Sequence, residues 1–508
     1  MRLAKFHCDT LPNRVFFIPL WQSLTIMSEI IARRKEQDDL KRLYEDKHPE
    51  FTVVYGRRRV GKTFLIRQFF RDNFAFFHTA LSPYEDISPE QLNKQQLINF
   101  QVSLVKYGDD NTLPPASWIE AFSRLEALLE KKADGTRMVV FLDELPWLDV
   151  QKSGFIPAFE HFWNSWGSSR DDFMLIVCGS ATSWIMDNLM NNKGGLYGRV
   201  TSDIHLHPMT VAECSEFLTY RNIEFSLYDI IQCYMILGGI PYYMNMLRKD
   251  LSLAANIDLL FFNKDSRLAN EFDRLMGSLF KHPENYIKAV RLLSGRRIGY
   301  TRGEIASETG IKSGGGLTTI LKALEESDFI TSYRPLVSNT REMRYRLTDN
   351  FILFYLKFSD EKKAKGDGYW SRFENTSELK SWRGLAFENL CFNHIPQIKN
   401  ALGISGVYTE TSCCIFPGND GNRGAQIDLL IDRDDRIMNL CELKFSETEY
   451  VIDKDEEEKL RNRKQRLYEE SKTKKAIHLT LITTYALKQN KYSGIVQNVI
   501  TAEQLMSV

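Results

Sequence analysis

No stretch of eighteen or more apolar residues occurs in this 508-residue chain, so a membrane-spanning helix is not expected. Net charge is missing too: sixty-six Lys and Arg balance sixty-six Asp and Glu, and any surface for a polyanion must be local. There are no internal repeats, and no low-complexity tract beyond the charged run 453–464, which reads as an exposed helix face. The eight cysteines include no C-x-x-C pair and no Cys/His ligand spacing. Several lie in apolar runs, as small core residues do, and a reducing cytoplasm fits best. Residues 1–26 lack a clean apolar core and a small-residue cleavage site, which makes them a poor secretory signal. Met27 opens a regular amphipathic segment, so 1–26 are expected to be a disordered tail or an extension ahead of the natural start.

What is present is ordinary for a globular protein, 43% hydrophobic and 26% charged, with length for about three domains. The first informative stretch is FTVVYGRRRVGKT, residues 51–63. Gly56 and Gly61 let backbone N–H groups approach phosphate oxygens where a Cβ would intrude. Lys62 would reach the β- and γ-phosphates, and Thr63 would offer its hydroxyl to Mg²⁺. A buried strand over 51–55 and a helix over 63–73 complete an ATP-type anion site. Arg57, Arg58 and Arg59 occupy the variable positions and read as loop-surface or interface charges.

A second half of the site follows at Met138–Glu144, an apolar strand ending in two carboxylates. Asp143 suits Mg²⁺, and Glu144 suits polarising the attacking water. A third buried strand, 173–180, ends at Ser180, which either reports the γ-phosphate or closes an ordinary Gly-Ser turn. Arg199, after a flexible loop at 191–195, is either a finger on the γ-phosphate, from this subunit or a neighbour, or a solvated loop arginine.

Residues 211–283 read as helical, broken at Leu237-Gly-Gly-Ile-Pro241, which seats a lid helix near nucleotide or makes only a tight turn. From 284 to 347 the order helix, glycine-rich turn, helix, basic hairpin is that of a winged helix-turn-helix. Lys and Arg outnumber Asp and Glu there by eleven to seven, and binding of double-stranded DNA stands level with a packing and relay role. Near the end, two apolar strands form a hairpin carrying Asp428, Glu442 and Lys444. Glu442 and Lys444 share a face by strand alternation, and Glu388 on an upstream helix can point into the same site. That set could hold one or two Mg²⁺ ions, with Lys444 orienting or deprotonating a water beside a phosphodiester. His394 reads as a surface or core histidine.

With these residues in hand, the chain resembles the archaeal-type ATPase family, related to the STAND and AAA+ branches of P-loop ATPases. YGRRRVGKT, VVFLDELPW, VCGSATSW, LYGRV and LGGIPYY carry the resemblance, which covers nearly everything after Met27. Gly56, Gly61, Lys62, Thr63, Asp143 and Glu144 fall on that family's nucleotide site. The region around 31–36 is similar to the family's opening motif, with Ala32 where glycine is usual. The C-terminal segment is similar to an uncharacterised domain thought to resemble PD-(D/E)XK nucleases, and Glu388, Asp428, Glu442 and Lys444 map onto that motif beside Gln426. The expected fold is therefore α/β. A P-loop NTPase core (27–210) with a helical lid (211–283) is followed by a winged helix-turn-helix (284–358) and a restriction-endonuclease-like domain (375–508). The expected function is an ATP- and Mg²⁺-dependent switch coupled to a DNA-binding or nuclease-like module, with a homo-oligomer implied if Arg199 serves a neighbour. The alternatives are a non-cutting DNA-binding regulator and a protein-sensing signalling ATPase.

Overall fold

The computed structural model describes residues 29–83, 87–192, 194–336, 342–360, 368–373, 376–418 and 424–506. The 1–26 extension and the choice between Met1 and Met27 lie outside them, as does the hairpin tip at 337–341.

The strands β1 (Glu50–Tyr55), β2 (Phe76–Thr79), β3 (Met138–Asp143), β4 (Phe173–Gly179) and β5 (Ser202–His205) form a parallel sheet in the order β2-β3-β4-β1-β5. Near-continuous apolar runs suit strands buried on both faces. Strand alternation sorts their side chains into two cores. Val53, Val140, Leu142, Leu175 and Val177 pack with Trp118, Phe122, Phe155 and Phe159 on one side. Val54, Val139, Phe141, Ile176 and Cys178 pack with Leu40, Leu43, Leu65 and Ile66 on the other. The aromatic side comes from the helices Trp118–Lys132 and Phe155–Ser165.

The helix predicted over 63–73 runs Lys62–Phe69. It ends ahead of Arg71 and Asp72, both left-handed (φ 51° and 53°), with Arg67 clamping Asp72.

Beyond the sheet, the helix Leu227–Leu237 stops at Gly238 and Gly239, both with φ 67°. At Gly239 a Cβ would lie 2.3 Å from the Met209 carbonyl oxygen, so only glycine permits this approach. Pro241 then opens the short helix Pro241–Met244 at its first position, where the missing N–H has no intrahelical partner to lose.

Next come the helices Glu284–Leu293, Arg302–Thr309 and Gly315–Glu326, with β6 (Tyr300–Thr301), β7 (Ile330–Tyr333) and β8 (Arg344–Leu347) antiparallel in the order β6-β8-β7. The C-terminal sheet is mixed. Its strands β9 (Thr409–Phe416), β10 (Ala425–Arg433) and β11 (Ile437–Lys444) pair antiparallel. From β11, β12 (Ala476–Thr483) and β13 (Asn498–Thr501) continue parallel, which gives the order β13-β12-β11-β10-β9. One hydrophobic core runs from the first sheet through the helical region to Leu429, Cys441 and Ile482 of the last, so the modules pack as one body. Among the described residues, no helix is long and apolar enough to cross a membrane.

Candidate nucleotide site and a second carboxylate site

β1 delivers the chain to Gly56 (φ 137°), where a Cβ would lie 2.3 Å from the Leu206 carbonyl oxygen. Gly61 (φ 98°) then turns the backbone into the helix that begins at Lys62. The Lys62 ammonium is buried and donates to the carbonyls of Gly56 (2.8 Å) and Arg57 (3.0 Å) and to Ser180 Oγ (3.3 Å). Burial pulls its pKa down, while Glu144 and Asp143 oppose the fall. Thr63 Oγ1 lies 3.0 and 3.1 Å from the two carboxylate oxygens of Asp143, whose pKa burial pushes up. Glu144 is left-handed (φ 52°) and accepts from the N–H (3.0 Å) and hydroxyl (2.6 Å) of Ser180. The hydroxyl and carboxylate that converge here are the hard oxygen donors Mg²⁺ takes, so the residues fit a magnesium-triphosphate seat.

This seat opens into a cavity of about 560 Å³. Arg58, Lys62, Thr63, Glu144 and Ser180 line one part; Ile30, Phe217, Tyr220, Pro241 and Tyr242 line another. The apolar part suits a nucleobase, and no sequence motif marked Phe217 or Tyr220 for it. The Gly-Gly-x-Pro break does bring a short helix to the cavity. Ala32 and Arg33 both sit in the left-handed region (φ 58° and 56°), which explains a preference for glycine at position 32.

Two of the three loop arginines are interface charges and not loop-surface ones. Arg57 is 1% exposed, paired with Asp349 and lying 5.0 Å over the Phe329 ring. Arg59 pairs with buried Glu271 and lies 4.4 Å over Tyr242. The bend thus grips both the helical region and the module behind it. Arg58 lines the cavity itself. Arg199 is exposed and precedes β5, whose last residue, His205, is the one beside Tyr55. Parallel pairing therefore puts Arg199 at the edge of the sheet opposite the phosphate loop, so a finger acting on its own subunit's site has no geometric support.

In the C-terminal module, Glu388 and Glu442 are buried and Asp428 half-buried, and the three are close enough for their charges to oppose one another. A register shift between Ile427 and Leu430 in the β10–β9 pairing falls at Asp428 and re-aims it, as bulges do. Gln426 donates to Asp428 (3.1 Å). Burial first, then the Asp428 charge, pushes Glu388 up to about 8; burial and the Glu442 charge push Asp428 up to about 6. Lys444 meets Glu442 at 2.9 Å and Glu456 at 3.0 Å. Arg463 holds Glu442 (2.5 Å), and Arg297 holds Glu388 (3.1 Å). The run 453–464 is therefore no plain exposed face: the helix Lys454–Ser471 turns Glu456 and Arg463 onto this site. His394 is fully buried. Its Nδ1 contacts the Leu390 carbonyl (2.8 Å), and its Nε2 accepts from the Val211 N–H (3.0 Å).

Residues 31–247 match the model of a family described as an ATPase domain predominantly from Archaea. The uncharacterised protein MJECL04 of Methanocaldococcus jannaschii is 24% identical over 421 residues, 82% of this chain and 88% of that protein. Among solved structures, the Walker-type ATPase paby2304 of Pyrococcus abyssi has a TM-score of 0.44 at 19% identity, covering 65% of this chain and 96% of that one. The Aeropyrum pernix ORC2 protein, solved as ADPNP-ADP complexes, has a TM-score of 0.39 at 14% identity, covering 65% and 93%. With the matched family and the phosphate-loop geometry together, residues 31–247 carry an ATP-binding domain of the P-loop ATPase class.

Proposed function

We propose that this protein hydrolyses ATP and uses the nucleotide state to control its C-terminal carboxylate site. The observation that carries the proposal is the Thr63 hydroxyl set against Asp143 at 3.0 Å, with the Glu144 carboxylate adjoining. Lys62 and the amides after Gly56 bind the phosphates; Thr63 and Asp143 hold the metal. Magnesium bound there would supply charge neutralisation to the phosphates. Glu144 orients and deprotonates the attacking water, and Ser180, hydrogen-bonded to it, keeps that carboxylate aimed. Arg199 serves a second copy of the chain, which its exposure and its place at the far sheet edge favour. The seven buried free cysteines among the described residues fit a reducing cytoplasm.

Residues 284–358 are read as a winged helix, supported by the order of three helices and the antiparallel β6-β8-β7 sheet. Arg57 and Arg59 give the phosphate loop a direct grip on Asp349 and Glu271. The C-terminal domain is read as nuclease-like, with Glu388, Asp428 and Glu442 as Mg²⁺ ligands and Lys444 on the reacting water. Phosphate release by purified protein, compared with Lys62→Ala, tests the ATPase; equal rates would refute it. Mg²⁺-dependent plasmid nicking tests the second site, and nicking that survives Glu442→Ala rules out the assignment.

A non-cutting regulator on double-stranded DNA is the second reading. It is favoured by the cations already seated on Glu388 and Glu442, and it predicts salt-sensitive DNA binding without cleavage. Lys322, on the helix that would read DNA, is tied to Asp187 of the ATPase domain (2.8 Å). That contact supports a third reading, a signalling ATPase whose middle module only relays.

A further inference from the structure

We infer that His205, His207 and Asp328 form a divalent transition-metal site, best suited to Zn²⁺, which clips the middle module to the ATPase sheet. None of these residues belongs to the nucleotide seat or to the C-terminal carboxylate site. His205 ends β5, and His207 follows two residues on, so strand alternation turns both imidazoles to one side. Their ring centroids are 3.7 Å apart. Asp328 comes from the far side of the junction, just past the helix Gly315–Glu326.

One Asp328 carboxylate oxygen lies 3.0 Å from His207 Nδ1 and the other 3.2 Å from His205 Nε2. One ligand atom from each of the three residues lies within 4.8 Å of the others, and among the described residues this is the group of three or more His, Cys, Asp or Glu that does so. Ligand atoms about 2.0–2.1 Å from a tetrahedral ion stand roughly 3.3 Å apart, so the cluster already has nearly the spacing of a coordination shell.

Two further observations point the same way. His205 Nε2 is buried and completes no hydrogen bond of normal geometry, although Asp328 lies beside it. A buried ring nitrogen whose neighbour is a carboxylate can give its lone pair to a cation held between the two. Asp328 itself is left-handed (φ 58°), an uncommon conformation for a residue other than glycine. Its N–H donates to the Glu325 carbonyl (3.0 Å), and this turn aims the carboxylate back at the two histidines.

Two imidazoles and one carboxylate favour Zn²⁺, Co²⁺ or Ni²⁺ over Mg²⁺, which takes oxygen ligands. Three protein ligands leave a fourth tetrahedral position. It faces a cavity of about 800 Å³, where water can fill it. The clip is placed to matter: Tyr55, the last residue before the phosphate loop, stacks on His205 at 4.6 Å.

The test uses full-length protein stripped with chelator and titrated with ZnCl₂ by calorimetry and equilibrium dialysis. The wild type is expected to bind one Zn²⁺ equivalent that His207→Ala and Asp328→Asn each lose or bind at least tenfold more weakly. Asp143→Asn and Glu442→Ala are expected to keep it, which separates this ion from any at the nucleotide seat or the carboxylate site. Co²⁺ should give the intense visible band of tetrahedral coordination in the wild type and not in the two site variants. His207 is 58% exposed, so its replacement leaves the fold intact and carries the test if Asp328→Asn fails to fold. A wild type that binds no Zn²⁺, as a plain histidine–aspartate ion pair would require, overturns the inference. So does a stoichiometry and affinity unchanged in His207→Ala.

Discussion

Ala32 shows how much a single backbone angle can matter near the nucleotide cavity. Holding an L-residue at φ 58° costs about 1–2 kcal/mol, whereas glycine bears only the extra entropy of its unfolded chain. Ala32→Gly is therefore expected to raise the unfolding free energy by about 0.5–1 kcal/mol in urea denaturation. A loss of stability would show that the methyl group packs better than the angle suggests. His394 makes a second residue-scale case. Burial pulls its imidazole down to about 4 from an ordinary 6.5. The unfolded chain takes up a proton near pH 6.5 that the folded one refuses, so stability is full above 6.5 and falls as pH drops toward about 4. The slope is at most about 1.4 kcal/mol per pH unit for this one group. His394→Gln should flatten that window in thermal or chemical unfolding, while His78, pulled down to about 3, leaves a remainder. The sequence pattern allowed His394 to be read as a core histidine, because it ends an amphipathic helix. The Ala32 angle belongs to a turn held by Glu213 accepting the Arg33 N–H (3.1 Å), a contact 180 residues along the chain that no local pattern marks.

At the scale of elements, the strands were legible because continuous apolar runs ending in Gly56 or in Asp143-Glu144 have few other uses. The partners of the arginines were not. Asp349 and Glu271 lie far along the chain, and nothing local distinguishes an arginine that is buried and paired from one in solvent. Removing Arg57 strands Asp349, which also caps the helix Asn350–Phe354 by accepting the Ile352 N–H (2.8 Å). Arg57→Ala is expected to cost about 3–5 kcal/mol, because an unpaired buried charge is left behind. The double variant Arg57→Met with Asp349→Ser removes both charges and keeps a cap, so it should recover most of that loss in equilibrium unfolding. No recovery would mean that the guanidinium stabilises through Phe329 rather than through its charge.

On the whole-molecule scale, contacts between segments far apart in the chain could not be read from the sequence. Arg297, in the turn that leads into β6, reaches Glu388 of the C-terminal domain, and Arg463 reaches Glu442 from a helix that reads in sequence as solvated. The first of these contacts is the one through which, under the proposed switch, the middle module would gate the carboxylate site. Arg297→Ala should free Glu388 and tighten Mn²⁺ binding there by about two- to fivefold, the equivalent of one partly exposed charge contact. Manganese titration followed by electron paramagnetic resonance reads the change, with Glu388→Gln as the variant that abolishes it. Unaltered affinity would remove Arg297 from the gating role.

The central claim is that the bend from Gly56 to Thr63 and the acidic pair after β3 form one hydrolytic site. The most direct measurement is ATP turnover and ATP affinity for Glu144→Gln beside the wild type, in the presence of Mg²⁺. The account predicts affinity within a few-fold of wild type and phosphate release slowed about 100-fold or more, because only the base is lost. Phosphate release at the wild-type rate would contradict it.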